Sequence, residues 1–264
     1  LVDSNPILNN VTISNNTAED DSGGGMSLAN SNPILNNVTI TDNTANYGGG
    51  GMRLFSSHPT LNNATISNNT AEFSGGVLLY NSNPKLTNSI IWDNSSESIY
   101  LYLDAQPIIN YSNIQGGWEG EGNIDTDPLF TDPDNGDYTL QPNSSCIDSG
   151  NPNLWYADQD GSIADMGSRG GLFVQPNFIS YNFGDVGAIA IMNHKQFSLY
   201  NFRETPITIS SVNFGTSSFT TDTSFPITIE PFQTGIINIE ANNTTLGYVE
   251  DAMEIESDDL PEGI

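Results

Sequence analysis

Few residues in this chain are of the types that carry acid, base or nucleophilic chemistry, and their spacing scatters them. Cleaving an acidic polysaccharide by elimination needs a base, often Arg or Lys, and carboxylates that hold calcium over the uronate. Up to residue 125 the only candidate cations are Arg53, His58 and Lys85. Arg53 follows a Gly-Gly pair, whereas His58 and Lys85 sit beside or within a Pro-led segment. They are therefore expected on different faces, as solvated residues. Hydrolysing a glycosidic bond needs two facing carboxylates. Asp20-Asp21 is the one close pair in this region and reads as a turn. Glu19, Asp42 and Glu72 recur after an Asn-rich corner and read as a solvated edge. No Ser/His/Asp set, phosphate-cradling loop or metal-spaced His/Cys cluster is present. His194, Lys195 and Arg203 read as surface residues.

Two constellations point to binding instead. Asp158-Gln159-Asp160-Gly161-Ser162, with Asp165 further on, places carboxylates at alternate positions before a glycine. Calcium takes oxygen ligands on such turns, so Asp158, Asp160 and Asp165 are the candidate calcium ligands, and calcium is the one cofactor the sequence points to. The distal Glu of an EF-hand loop is missing, and a hydrogen-bonded Asp turn is the competing reading. Trp92, Tyr100, Tyr102 and Trp118 could form a platform on which a sugar stacks, or could cover the end of a repeat array. The single cysteine, Cys146, allows no intrachain disulfide and reads as a buried thiol.

The elements that position these residues are set by a repeat. The word Asn5-Pro6-Ile7-Leu8-Asn9-Asn10-Val11-Thr12-Ile13 returns at Asn32, at His58 and, more loosely, at Asn83, with a degraded copy at Gln106. The prolines are spaced by 27, 26, 25 and 23 residues. Between copies lie Gly24-Gly25-Met26-Ser27-Leu28, Gly50-Gly51-Met52-Arg53-Leu54 and Gly75-Gly76-Val77-Leu78-Leu79. Each period holds three short strand-like pieces and no helix periodicity. Leu8, Leu35, Leu61 and Leu86 stay apolar, as do Ile13, Ile40, Ile66 and Ile91, so these rows face inward. Alternation puts Ser27, Arg53 and Leu78 outside. Asn10, Asn37, Asn63 and Asn88 form one invariant row, and Asn16, Asn43, Asn69 and Asn94 another. Asn tolerates left-handed backbone at a corner, and its amide can bond the copies above and below, so both rows are expected to be structural ladders.

Composition agrees with many turns and a modest core: 36% of residues are hydrophobic and 9% aromatic. The formal net charge of −27 repels nucleic acid and anionic membranes. No apolar run approaches the roughly 18 residues of a membrane span. The chain opens in mid-repeat, with Leu1 aligned to Leu28, and stops before an expected strand, so both ends read as cut.

These repeats resemble the right-handed β-helix repeats of bacterial exported proteins, and their Gly-Gly-apolar motif and Asn corners are similar to polymorphic outer-membrane protein repeats. Asp127-Pro128-Leu129-Phe130, Ser145-Cys146-Ile147-Asp148-Ser149-Gly150 and Asp160 to Gly167 resemble the closing segment of such proteins. After Gly170-Gly171 short alternating runs appear: Phe197 to Tyr200, Ile207 to Ser210, Ile227 to Ile229 and Ile236 to Ile239. Their spacing suggests a β-sandwich. The words Ile179 to Val186, Pro206 to Val212 and Met253 to Asp259 resemble the immunoglobulin-like domain called choice-of-anchor D, related to Hydin-type modules. Phe232 departs from that pattern, where glycine usually follows the proline.

The expected fold is all-β: a right-handed parallel β-helix over 1–125, a terminal coil and cap over 126–172, and an immunoglobulin-like sandwich over 173–264. The resemblances imply export, with a secreted or bacterial cell-surface location. The expected role is a non-catalytic structural or adhesion protein, with the helix as stalk or binding face and the sandwich as spacer to an anchor. Its partners would be an extracellular glycan or protein surface, or further copies of itself. The alternatives are a carbohydrate-active lyase or glycosidase, or its binding part, and a subunit of an extracellular filament.

Overall fold

The computed structural model describes residues 1–19, 21–158, 160–171, 174–184, 193–242 and 247–264. It divides into two compact units: residues 1–158 with 162–171, and residues 159–161 with 172–264.

The first unit is a parallel solenoid. Its strands have three or four residues, too few to bury a face alone, so each coil depends on its neighbours. Three long sheets result, beside a short parallel pair of Thr17–Ala18 with Thr44–Ala45. The Pro sheet stacks Ile7–Asn9, Ile34–Asn36, Thr60–Asn62, Lys85–Thr87 and Ile108–Asn110. The Thr-Ile sheet stacks Thr12–Ser14, Thr39–Thr41, Thr65–Ser67, Ile90–Trp92 and Asn113–Ile114. The Gly-Gly sheet stacks Met26–Ala29, Met52–Phe55, Val77–Tyr80 and Ile99–Tyr102. Val2 extends it by a bridge to Ala29.

The register matches the sequence alignment. Leu8, Leu35, Leu61, Leu86 and Ile109 stack, as do Ile13, Ile40, Ile66, Ile91 and Ile114. With Met52, Leu54, Val77 and Leu79 they form one continuous core. Leu35, Ile40 and Ile66 are fully buried, whereas Leu8 and Ile13 of the first coil are only half-buried.

Apart from Asn113–Ile114, each strand of these three sheets is followed by one residue in left-handed backbone, which turns the corner. After the Pro sheet these are Asn10, Asn37, Asn63, Asn88 and Tyr111, with φ between 49° and 53°. After the Thr-Ile sheet they are Asn15, Asp42, Asn68 and Asp93, and after the Gly-Gly sheet Asp3, Asn30, Ser56, Asn81 and Leu103. Asn and Asp dominate because they tolerate this region better than other residues with a Cβ.

The segment expected as terminal coil and cap runs elsewhere. Residues 126–158 and 162–171 lie along the outside of the Thr-Ile sheet as a flank. Ser168 N–H donates to Thr65 Oγ1 at 2.9 Å, and its hydroxyl meets Thr39 Oγ1 at 2.7 Å. Gly167 N–H donates to the Asn88 carbonyl at 2.7 Å. Beneath it Ile90, Phe130, Tyr138, Cys146 and Met166 make a second small core. The physical reason is the outer row of this sheet: Thr39, Thr65 and Ile90 offer hydroxyls and an apolar side chain, not charges. The solenoid's end is instead covered by the 115–122 loop, whose Trp118 packs on the main core.

The second unit is antiparallel throughout. Val174–Pro176, Asn193–Asn201, Thr234–Ala241 and Phe219–Thr220 form a four-stranded sheet. Ile207–Ile209 pairs with Ile227–Ile229, and Ser211–Phe214 with Met253–Glu256. The chain thus changes partner at Ser210. Among the described strands the pairing gives one four-stranded sheet and two two-stranded ribbons. Phe232 stands at φ 59°, a left-handed position where glycine would be unstrained. Asp20 and Asp185 lie outside the described residues.

Candidate functional site

The solenoid has three outer faces, and polar side chains on two of them are occupied in holding the fold. At the corner after the Thr-Ile sheet, Asn16, Asn43, Asn69 and Asn94 form a side-chain ladder. Asn16 Nδ2 donates to Asn43 Oδ1 at 2.9 Å, Asn43 Nδ2 to Asn69 Oδ1 at 3.0 Å, and Asn69 Nδ2 to Asn94 Oδ1 at 2.9 Å. The same oxygens accept the backbone N–H of the preceding coil's Asn.

The other expected row does a different job. Asn10, Asn37, Asn63 and Asn88 turn the corner, and side chains of this row hold the flank. Asn63 Nδ2 donates to the Asp165 carbonyl at 3.1 Å, and Asn88 Oδ1 accepts from Asn151 N–H at 2.7 Å. The side-chain ladder on that side is shifted by one residue: Asn62 donates to Asn36 and Asn36 to Asn9, each at 2.9 Å.

Two further ladders escaped sequence reasoning. Ser31, Ser57 and Ser82 are buried; each Oγ accepts the N–H of the Ser one coil earlier and donates to a carbonyl two residues back. Asn5, Asn32, His58 and Asn83 each accept a backbone N–H from the next coil. His58 enters through Nδ1, at 3.0 Å from Asn83 N, so its ring replaces an Asn amide. The signal was in the alignment, where Ser31, Ser57 and Ser82 precede each Pro word and His58 stands in an Asn column.

The candidate catalytic residues do not converge. Lys85 is exposed on the Pro sheet, while Arg53 belongs to the Gly-Gly sheet with its guanidinium 5.6 Å from the Phe55 ring centre. Asp42 Oδ1 accepts from Asn68 Nδ2 at 2.7 Å, and its Oδ2 is 3.4 Å from the Tyr138 hydroxyl. Burial, and then the Asp42 charge, push the Tyr138 phenol up to about 12. Asp93 has its pKa raised by partial desolvation first and by the Asp127 charge second.

Two carboxylates of the expected calcium turn, those of Asp158 and Asp165, are engaged with backbone. Asp158 accepts from the N–H groups of Asp165 and Gly171, and Asp165 Oδ1 from Asp148 N–H at 2.9 Å. Asp160 is exposed and grouped with the second unit. Among the described residues no three His, Cys, Asp or Glu side chains are grouped to hold a metal ion. Cys146 is fully buried; burial pushes its thiol up, and Asn113 Nδ2 donates to Sγ at 3.1 Å.

The four aromatic candidates separate. Trp92 packs against the flank core, and Trp118 against the end of the main core. Tyr100 and Tyr102 instead join two aromatic rows on the outside of the Gly-Gly sheet. One row stacks Phe55, Tyr80 and Tyr102, with ring centres 4.7 and 5.2 Å apart and planes 21° and 30° apart. The other joins Tyr47, Phe73 and Tyr100 at 4.8 and 6.2 Å, with planes tilted by 51° and 58°. Stacked rings cover one another's faces, whereas tilted rings leave faces open, and Tyr47 is 57% exposed. Leu78, expected outside, points outward but is buried; a Cβ on Gly48 would stand 3.0 Å from its Cδ2, so that turn lies over it.

In the second unit, Lys195 Nζ sits 4.4 Å from the Tyr181 ring centre and 5.5 Å from that of Phe178. Arg203 is not a free surface cation: its Nη1 donates to the Asp259 carbonyl at 2.8 Å. His194 Nδ1 is 3.5 Å from Glu240 Oε1.

Residues 3–123 match the family model of the right-handed beta helix region. With the in-register coils, that match makes this part of the chain a right-handed β-helix repeat. No curated protein and no solved structure matches the chain. Among the described residues no helix is long and apolar enough to cross a membrane.

Proposed function

We propose that this is a non-catalytic secreted or cell-surface protein whose β-helix is a stiff rod with one binding face. The observation that carries the reading is the distribution of side chains around the rod. The Thr-Ile sheet lies under the flank, and the Pro sheet bears Asn side chains bonded to each other. The outer Gly-Gly sheet alone combines open aromatic rings, Tyr47, Phe73 and Tyr100, with the cation Arg53. Such rings suit a neutral glycan, whose C–H faces stack on them. A chain of net charge −27 is poorly matched to an acidic polysaccharide. The second unit then serves as spacer toward an anchor.

A screen of neutral and acidic polysaccharides tests this, read both for binding and for newly formed chain ends. Binding without cleavage is expected, weakened about tenfold by Tyr47→Ala or Phe73→Ala. New unsaturated or reducing ends would overturn it in favour of a carbohydrate-active enzyme.

A further inference from the structure

The repeat does not end by closing all three sheets. The Pro and Thr-Ile sheets reach the fifth coil, and the Thr-Ile sheet gains a bridge from Asn113 to Ile124. The Gly-Gly sheet stops one coil earlier, at Ile99–Tyr102. In the fifth coil Gln115 leads into Gly116 and Gly117 instead of a corner and a fifth strand of the Gly-Gly sheet. An open groove is left between the turn Asn94–Ser98 and the loop Gln115–Trp118.

The edge facing this gap is unpaired. Val77 N–H donates to the Ser98 carbonyl and Asn81 N–H to the Tyr102 carbonyl. In a parallel ladder, residues alternate in which neighbour they address. The N–H and C=O of Ile99 and Leu101 therefore face the open side, where no described strand pairs with them. The surface there is apolar: Leu101 is 43%, Tyr102 50% and Leu103 60% exposed. Free edges of this kind take up strands.

We propose that this edge binds an extended basic polypeptide as the missing Gly-Gly strand. The direction of charge selects the occupant. From Leu86 to Ser168 the chain has no Lys, Arg or His, while Glu97 lines the groove and Asp104 and Glu119 follow the edge strand and the Gln115–Trp118 loop in sequence. A second copy, at net charge −27, is repelled. Alternation defines the pattern of the guest. Positions over Ile99 and Leu101 continue the inward row and take apolar side chains. Positions over Tyr100 and Tyr102 point outward and take Lys or Arg. Tyr102 ends its aromatic stack, so its free ring face can hold a cation, as Phe55 holds Arg53 within the chain.

The test uses the full chain and a blocked, fluorescent peptide of alternating Lys and Val, followed by anisotropy. A Glu-Val peptide and two Lys-Val peptides, N-methylated on one or the other set of alternate amides, are the controls. The Lys-Val peptide is expected to bind, with N-methylation on the pairing face weakening it about tenfold. Leu101→Pro, which removes the edge N–H and keeps those paired to Val77–Tyr80, has the same expected effect. Tyr102→Ala is expected to cost about threefold. Equal binding of the Glu-Val or both N-methylated peptides would overturn the proposal. So would self-association abolished by Leu101→Pro, which would make the occupant a second copy. Leu101→Pro leaves Tyr47 and Phe73 intact, so glycan binding on the lateral face is read separately.

Discussion

The two units satisfy buried polar groups in opposite ways. In the solenoid, a side chain's partner is its own counterpart one coil away, as with Asn43, Asn69 and Asn94. In the second unit the partners are unlike. Buried Asn201 donates to the carbonyls of Thr205 and Ile229 and accepts from Arg203 N–H, and Asp259 caps Thr208 N–H. Translation lets one residue type answer many backbone groups, but it makes each rung depend on the next. A singular network depends on one residue and leaves no trace in the sequence pattern.

The sharpest break of this comparison is at the middle rung. Asn69→Ala removes an amide whose two N–H groups are shared among three acceptors, the Ile40 and Ser67 carbonyls and Asn94 Oδ1, and whose oxygen accepts two hydrogen bonds, all at a fully buried site. The expected loss is about 3 kcal/mol, since each orphaned buried group costs about 1–3 kcal/mol. Asn16→Ala, at the exposed end of the same ladder, is expected to cost less than about 1 kcal/mol. All three tryptophans lie in residues 1–158, so fluorescence-monitored urea unfolding reads this unit. Asn201→Ala is expected to act on amide exchange of the Asn193–Asn201 strand and leave that fluorescence transition in place. Equal losses for Asn69→Ala and Asn16→Ala would show that the ladder does not act through its buried rungs.

This difference also explains what could be read from the sequence. The inward rows, register and coil number were legible because Leu8, Leu35 and Leu61 recur among neighbours that vary. The Ser31, Ser57 and Ser82 ladder was equally recurrent, yet small polar residues before proline read as turn. Splitting the two Asn rows was beyond the pattern, because turning a corner and bonding along the stack select the same residue type. The flank was illegible for another reason. Its contacts join Ser168 to Thr39 and Thr65 across more than a hundred residues, with no period to announce them. In the candidate binding face, Tyr100 and Tyr102 were found by residue type. Tyr47 and Phe73 were missed because they stand on turns outside the repeated words.

The flank supplies the second test, since it is the non-repetitive part of the repetitive unit. Gly167 has φ 99°, and a Cβ there would lie 2.9 Å from Ile90 Cδ1 and 3.1 Å from Thr65 Oγ1. Gly167→Ala is therefore expected to cost about 2 kcal/mol through strain and lost packing. The cost should fall on the flank and spare the coils. Cys146 reports it directly, because its buried thiol reacts with a disulfide reagent only when the flank lifts. Labelling should accelerate about tenfold or more while the coils stay folded by circular dichroism. Labelling that tracks global unfolding instead would make flank and coils one cooperative body.

The smallest expected effect asks whether copies in one row are interchangeable. Asn15, Asp42, Asn68 and Asp93 all hold the same left-handed corner, yet their surroundings differ. Burial and Asp127 raise the Asp93 pKa above its ordinary 3.8. A raised acid holds its proton more tightly folded than unfolded. Its favourable contribution is complete below the unfolded value and is lost as pH rises through the folded one. At neutral pH the charged Asp93 thus works against the fold. Asp93→Asn should stabilise at pH 7, by less than about 1 kcal/mol because the exposed group is screened, with no gain at pH 3. The same exchange at Asp42 should destabilise, because its Oδ1 accepts from Asn68 and its Oδ2 from Tyr138, and an Asn side chain has only one such oxygen. Urea midpoints at the two pH values measure both. Equal signs at both positions would mean that the corner alone sets the energetics. Opposite signs would show that a strict repeat still assigns each copy its own electrostatic task.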